Sequence, residues 1–500
     1  MLKRLINTPA VIAALKTESK QPRAYILVVF AIVYSLISLV NHYNYRTSAF
    51  DLGIYSNCLY QYAHLHKNHY PYLHYMFTNA LADHFSLYTV FLAPLYYIFD
   101  TPTLLYVQIL SVLFGAVGIY KIVQRKYNVG YLPEIAMGHY LSFFGIFSAL
   151  SFDYHDNVVS AMLVPWFIYY FDSGKTKLTI LFAVLIVVGK ENMPIWLAFI
   201  CFGLFALNYN DKAKRNFALL LAGASIIYTV VIIKIVMPGI DPMVAKNGYN
   251  AFQYSVLGKD TKDVVFNLLH HPLTIIKAFF VSPILDYPET RLIKAELYFC
   301  LLFSGGFMLL VKPQYLIMLI PIIAQKVLNN DCGKWGINAH YSIELVPIVI
   351  LAFYEGLNYL TNAKNKLIIA GCVCVATLVV TIDKIERRYS IYYIRDFSAF
   401  YSANHYTCYF DKTEVQRVIN LIPSNANLSV STHFAPHVSF RKNVYQYPDV
   451  HDAQYIFVAN SPLSYPIRQP EMEIKIKELC QSPQWETISK QKGIYLFKKK

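Results

Sequence analysis

SLYTVFLAPLYYIF, residues 86–99, is apolar, short and interrupted by Pro94, and whether it crosses a membrane sets the side of every loop after it. A spanning helix takes about 20 mostly apolar residues, with a range of roughly 17–25. Counted as a span, the stretch would put Lys121, Arg125 and Lys126 outside, against the bias of basic loops toward the cytoplasm. It therefore reads as a juxtamembrane or interfacial helix within one long outer loop, residues 41–102.

Outward from this stretch, clear spans are expected at Ala24–Val40, Thr103–Val123, Leu132–Leu150, Phe217–Met237, Ala295–Val311, Ile343–Leu360 and Leu367–Ile382. Shorter ones are expected at Val158–Phe171, Leu178–Val188, Pro194–Leu207 and Tyr315–Leu328, giving about eleven. Lys3, Arg4, Lys16, Lys20 and Arg23 then lie inside, as do Lys175/Lys177, Lys212/Lys214/Arg215, Lys312 and Lys364/Lys366. Arg46 and Lys67 are the basic residues left in the first outer loop. The expectation is an N-terminus in the cytoplasm and a C-terminus outside. The first apolar run starts near Ala24 without a small-residue cleavage pattern, so it reads as a span rather than a cleaved signal.

Composition agrees. Hydrophobic residues make up 56% and charged residues 15%, against about 45–50% and 25% in soluble domains. Mean hydropathy is +0.37. The net charge of +14 comes from lysines and arginines scattered through short loops, with no basic face of the kind nucleic-acid binding needs. The eight cysteines show no metal-site spacing, and a Cys408–Cys480 disulfide stays open. No GxxxxGK[ST] loop is present, which argues against a nucleotide-driven pump.

Under this threading the conspicuous ionisable clusters share the outer face: Asp51 in FDLGIY, Asp83-His84, Asp153, His155 and Asp156 in FDYHD, Lys190-Glu191 and His340. Carboxylates, imidazoles and a lysine converging on one cavity suit proton transfer and anion binding. Each also has a plainer reading. Asp51 stands where an interfacial helix takes a cap, and Asp83-His84 precedes the helix at Ser86. The cluster at 153–156 lies in a very short loop, where polar residues are expected, and His340 precedes a span. Lys190-Glu191 is the strongest candidate. It occupies a turn between two undersized helices, and charge at membrane depth survives only in protein or in a water-filled cavity. A self-neutralising ion pair is its plainer reading. Asp51, Asp83 and Asp153 offer oxygen ligands to a divalent cation, but no pattern calls for one, so no cofactor is expected.

After about Asp383 the apolar runs stop. Residues 383–410 read as a linker and 411–500 as a small α/β domain outside the membrane. A helix is expected at Asp411–Pro423 and another at Pro470–Cys480. Strands are expected at Asn427–Thr432, Val444–Tyr447, Gln454–Ala459, Trp485–Ser489 and Gly493–Lys498. His433, Pro436 and His437 follow the first strand, a place where α/β folds often bind ligands, although turn geometry explains the proline equally well.

FDLGIYSNCLYQ, NALADHFSLYTVFLAPLY, SFDYHDNVVSAMLVPW, VVGKENMP, NAHYSIELVP and VSTHFAPHVSFRKNVYQYP follow one another in order. Together they resemble a family of predicted bacterial membrane proteins classed as a domain of unknown function, over nearly the whole chain. That family is distantly similar to the GT-C glycosyltransferases, which take sugar from a polyprenyl-phosphate carrier at the outer membrane face. The resemblance implies an α-helical polytopic GT-C-like domain over 1–382 in the bacterial inner membrane, with lipid and a lipid-linked sugar donor as partners. It implies that Asp51 is the catalytic base or orients the acceptor, with Asp83 or His84 as the second catalytic group. This chain departs from the best-known GT-C pattern in lacking an Asp-Glu pair at the start of the loop. Lys190 would face the phosphate, and Asp153, His155, Glu191 and His340 would contact substrate. Two other readings remain: a transporter or flippase for a lipid-linked or anionic substrate, and a non-catalytic envelope protein.

Overall fold

The computed structural model describes residues 22–127, 129–247, 253–259, 261–281, 288–390 and 392–500. Lys3, Arg4, Lys16 and Lys20 lie outside the described residues.

Among these, four helices have the length and hydropathy to cross a membrane: Pro22–Tyr43, Thr103–Lys126, Lys212–Ile240 and Ala363–Glu386. Shorter apolar helices cover Tyr88–Phe99, Thr176–Val187, Met193–Leu207, Pro313–Val327 and Leu345–Tyr359. Side-chain caps fix two of the long starts. Asp211 accepts from the Lys214 amide, and Asn362 accepts from the amides of Lys364 and Asn365.

Two expected spans are broken. Leu132–Leu150 divides into Leu132–Leu141 and Phe144–Leu150, because Phe143 is extended between them (ψ 133°). Ala295–Val311 becomes Ile293–Leu301, an irregular turn Leu302–Gly306, and Met308–Val311. Gly305 makes the second break, at φ +84°. There a Cβ would also lie 2.9 Å from the Phe353 ring, so only glycine satisfies both the backbone and the space. The pairing left open for Cys408 and Cys480 is absent: all eight cysteines are free thiols.

Residues 86–99 lie along the bundle as two short helical pieces, Tyr88–Leu92 and Tyr96–Phe99, joined by a 3₁₀ turn at Ala93–Leu95. Pro94 supplies no amide to a regular ladder, which is why the piece bends there. The Leu87 amide donates to Val188 O at 2.9 Å, and the Tyr96 ring packs on Phe440 at 4.6 Å. The opposite face carries exposed Phe91, Tyr97 and Ile98.

The C-terminal sheet has the order β2-β1-β3-β5-β4. Strand β1 (Leu428–Val430) is parallel to β2 (Val444–Gln446) and β3 (Tyr455–Ala459). The hairpin β4 (Trp485–Gln491) and β5 (Ile494–Lys499) joins antiparallel through β5 on β3. Helices Lys412–Leu421 and Gln469–Gln481 accompany it.

This sheet domain is clamped to the segment after the first helix. Asn57 Nδ2 donates to Ser439 O and Arg441 O at 2.9 and 2.8 Å, and Gln61 Nε2 to Lys442 O at 2.7 Å. Tyr45, Ile54 and Tyr72 share one apolar core with Phe434 and Val438. Arg46 is buried, and its guanidinium donates to the carbonyls of Asp396, Asn404 and Thr407. Its charge staples residues 396–407 to the first loop.

Candidate functional site

The first loop and the helix ends opposite it line a half-open cavity of about 950 Å³. Asp51, Asp83, His84, His155, Lys190, Glu191 and His340 line it together.

Asp51 does not cap a helix. It sits in the turn Ala49–Gly53 at φ +104° and ψ −102°, and Gly53 stands at the start of the helix Ile54–Ala63. A β-carbon residue held in that region costs of order 1–3 kcal/mol, and such strain clusters at functional sites. The turn is held by Gly53 N donating to Ser48 O at 3.0 Å and by Asp153. The Asp153 carboxyl accepts from Ser48 N at 2.8 Å and from Ser48 Oγ at 3.1 Å. Asp153 is therefore a brace behind Asp51 and does not line the cavity. Burial, reinforced by the Asp51 charge, pushes the Asp153 pKa up to about 8 despite the Ser48 donors. It is largely a neutral acid at pH 7.

His155 Nε2 lies 3.1 Å from Asp51 Oδ1, and the His155 ring stacks on His340 at 3.6 Å between centroids. Burial lowers the pKa of both imidazoles. Asp51 opposes the shift at His155, while His155 and Lys190 add to it at His340. Neutral His155 donates its Nε2 proton to Asp51, which leaves Nδ1 as a lone pair. Nδ1 of His155 and Nδ1 of His340 are both buried without a hydrogen-bond partner among the described residues. The stack thus orients one Asp51 oxygen and leaves the other free.

The Gly189–Asn192 turn ends the undersized helix Thr176–Val187. It packs so closely on Tyr88 and Ser160 that a Cβ at Gly189 would overlap both. Glu191 is buried, accepting from His84 Nδ1 at 3.0 Å and from the Phe85 amide at 3.1 Å. At His84, burial and Lys190 pull the pKa down, but Asp83 and Glu191 prevail and the net shift is upward. Asp83 accepts from Tyr70 Oη at 2.6 Å instead of capping the following helix. The Lys190 ammonium, on a half-buried side chain, forms no hydrogen bond or ion pair among the described residues, while its carbonyl accepts from the Met193 amide at 3.0 Å. A cation held this way is set to meet an anion that enters the cavity.

A model of the predicted membrane protein family DUF2079 matches residues 41–496. The chain belongs to DUF2079. No curated protein matches it. The matched span takes in the first loop, the cavity and the sheet domain, so the site lies wholly inside what defines a DUF2079 chain.

Several cavity residues escaped the sequence reading. Tyr55, Tyr70, Asn157, Lys326, Lys334 and Glu344 all line it. Lys326 carried a legible signal, a lysine at the end of an apolar helix. Asn157 and Glu344 are joined at 2.7 Å by packing alone. Among the described residues no group of three or more His, Cys, Asp or Glu side chains is arranged to hold a metal ion. The tail histidines point elsewhere: His433 Nε2 pairs with Leu463 O at 2.8 Å, and His437 stacks on His42.

Proposed function

We propose that this membrane protein is a glycosyltransferase that takes sugar from a polyprenyl-phosphate-linked donor at the outer face of the membrane. One observation carries the reading: the Asp51–His155 pair and Lys190, which has no ion pair among the described residues, line a single cavity. That cavity also has an apolar flank of Ile195, Ile233, Val244 and Ile322, suited to a lipid chain. The threading of about eleven spans, with the N-terminus in and the C-terminus out, places this cavity outside. The docking of the C-terminal domain onto the first loop supports that side.

In the reaction, Asp51 accepts the proton of the acceptor hydroxyl as its oxygen bonds to the anomeric carbon. The bond from that carbon to the phosphate oxygen breaks, and the lipid phosphate leaves with the electron pair, stabilised by Lys190. Attack from the opposite face inverts the anomeric centre. His155 fixes the carboxylate for in-line approach. A positioned general base contributes about 10²–10⁴-fold to a rate, and a preorganised cation at the leaving group adds its own electrostatic term.

The test compares glycoconjugates of the native host carrying wild type, Asp51→Asn or Lys190→Ala, by mass spectrometry. Loss of one glycan modification in both variants is the expected result. An unchanged profile sinks the catalytic assignment and leaves transport as the reading to pursue.

A further inference from the structure

Lys190 shares the cavity with two more ammonium groups. Lys326, buried at the end of helix Pro313–Val327, donates from Nζ to Lys334 O at 2.8 Å. That bond ties it to the 3₁₀ turn Cys332–Lys334, and Lys334 Nζ stands 5.8 Å from the Tyr341 ring centroid. The 189–192 turn reaches the same place, because Asn192 Nδ2 donates to Gln325 Oε1 at 3.3 Å, one residue before Lys326. Burial lowers the Lys334 pKa; Asp331 opposes the shift and the neighbouring Lys190 adds to it.

The carboxylates near these lysines are mostly engaged elsewhere. Glu191 is matched by His84. Asp331 is exposed and bonds the Gly333 amide of its own turn at 2.8 Å. Glu344 is bonded to Asn157, and the two other carboxylates that line the cavity, Asp51 and Asp83, bond His155 and Tyr70, so that none of the three lysines has an ion pair among the described residues. A sugar linked to lipid through one phosphate is a diester with a single negative charge. Linked through a diphosphate, it carries two.

We propose that Lys190, Lys326 and Lys334 form a subsite for a diphosphate lipid headgroup, so that the donor is a sugar linked to its lipid through diphosphate. The inference rests on the transfer reading above and sharpens its donor. The leaving group would then be the lipid diphosphate, departing with the electron pair of the broken bond to the anomeric carbon.

Purified full-length protein is titrated with farnesyl diphosphate and with farnesyl phosphate, each the short-chain leaving group of one donor class. The diphosphate is expected to bind at least roughly tenfold more tightly. Lys334→Met should erase that preference while leaving monophosphate binding near wild type, and Lys326→Met should do the same. Melting temperatures report folding, and if the buried Lys326→Met variant does not fold, Lys334→Met carries the test. Equal affinity of the two probes, or a preference that survives Lys334→Met, overturns the diphosphate subsite and leaves a monophosphate-linked donor standing. Binding of neither probe overturns both this subsite and the transfer reading.

Discussion

Two pairs of histidines stack in this protein, and their surroundings give them opposite characters. His42 and His437 lie 4.1 Å apart with planes at 18°, and His155 and His340 lie 3.6 Å apart at 23°. The first pair is closed. His42 Nδ1 and Nε2 meet Thr47 Oγ1 and Thr101 Oγ1, and His437 Nε2 meets His42 O at 3.1 Å. It joins the sheet domain to the first helix with nearly every polar atom answered. The second pair is open. It touches one cavity carboxylate and leaves two ring nitrogens without partners among the described residues. Satisfied polar atoms make a joint, whereas a buried polar atom without a partner is tolerated where a ligand completes the site.

Substitutions at one ring of each pair break this comparison most sharply. His155→Phe retains an aromatic ring on His340 and deletes the bond to Asp51. On the proposed transfer reading, activity should fall about 100-fold, within the range for a mispositioned general base, with a melting temperature close to wild type. Equal losses of activity and stability would make His155 a packing residue. At the closed pair, His437→Ala removes ring contact and hydrogen bond together. A loss of about 1–3 kcal/mol is expected on denaturant unfolding, with the activity of the folded fraction retained. If activity is lost while stability holds, the tail histidine belongs to the site and the contrast fails.

The smallest effect concerns the brace behind the open pair. Asp153 titrates near 3.8 as a free side chain and at about 8 in the folded protein. The folded state keeps this proton where the unfolded chain has lost it. The contribution of Asp153 to stability is therefore fully present below about pH 4 and declines as pH rises through about 8. Asp153→Asn should flatten the fall in melting temperature across that window. A pH profile superimposable on wild type would show that Asp153 carries its charge at neutral pH.

Much of this architecture was legible in the chain. Uninterrupted apolar runs announced the long helices at 103–126 and 363–386, because a period-free run of that length has few other folds. In the tail, period-two runs and turn residues located all five strands to within a few residues. The breaks at Phe143 and Gly305 were not legible, since both fall within runs whose hydropathy continues across them. Each depends on a neighbour, as with the Phe353 ring against Gly305. Seven of the eight proposed site residues line one cavity, whereas Asp153, equally conspicuous, turned behind it to hold Ser48.

By itself the sequence determined that the protein is a membrane protein with a small polar C-terminal domain, because hydropathy and period are properties of the chain alone. It also singled out Lys190-Glu191, since charge between two short apolar helices is costly in any fold. Only the tertiary structure decided what that pair does. Glu191 turned to His84, and Lys190 was left beside Lys326 and Lys334, residues more than a hundred positions away. Contacts of that range depend on how helices and loops pack together, and no local pattern of residues encodes them.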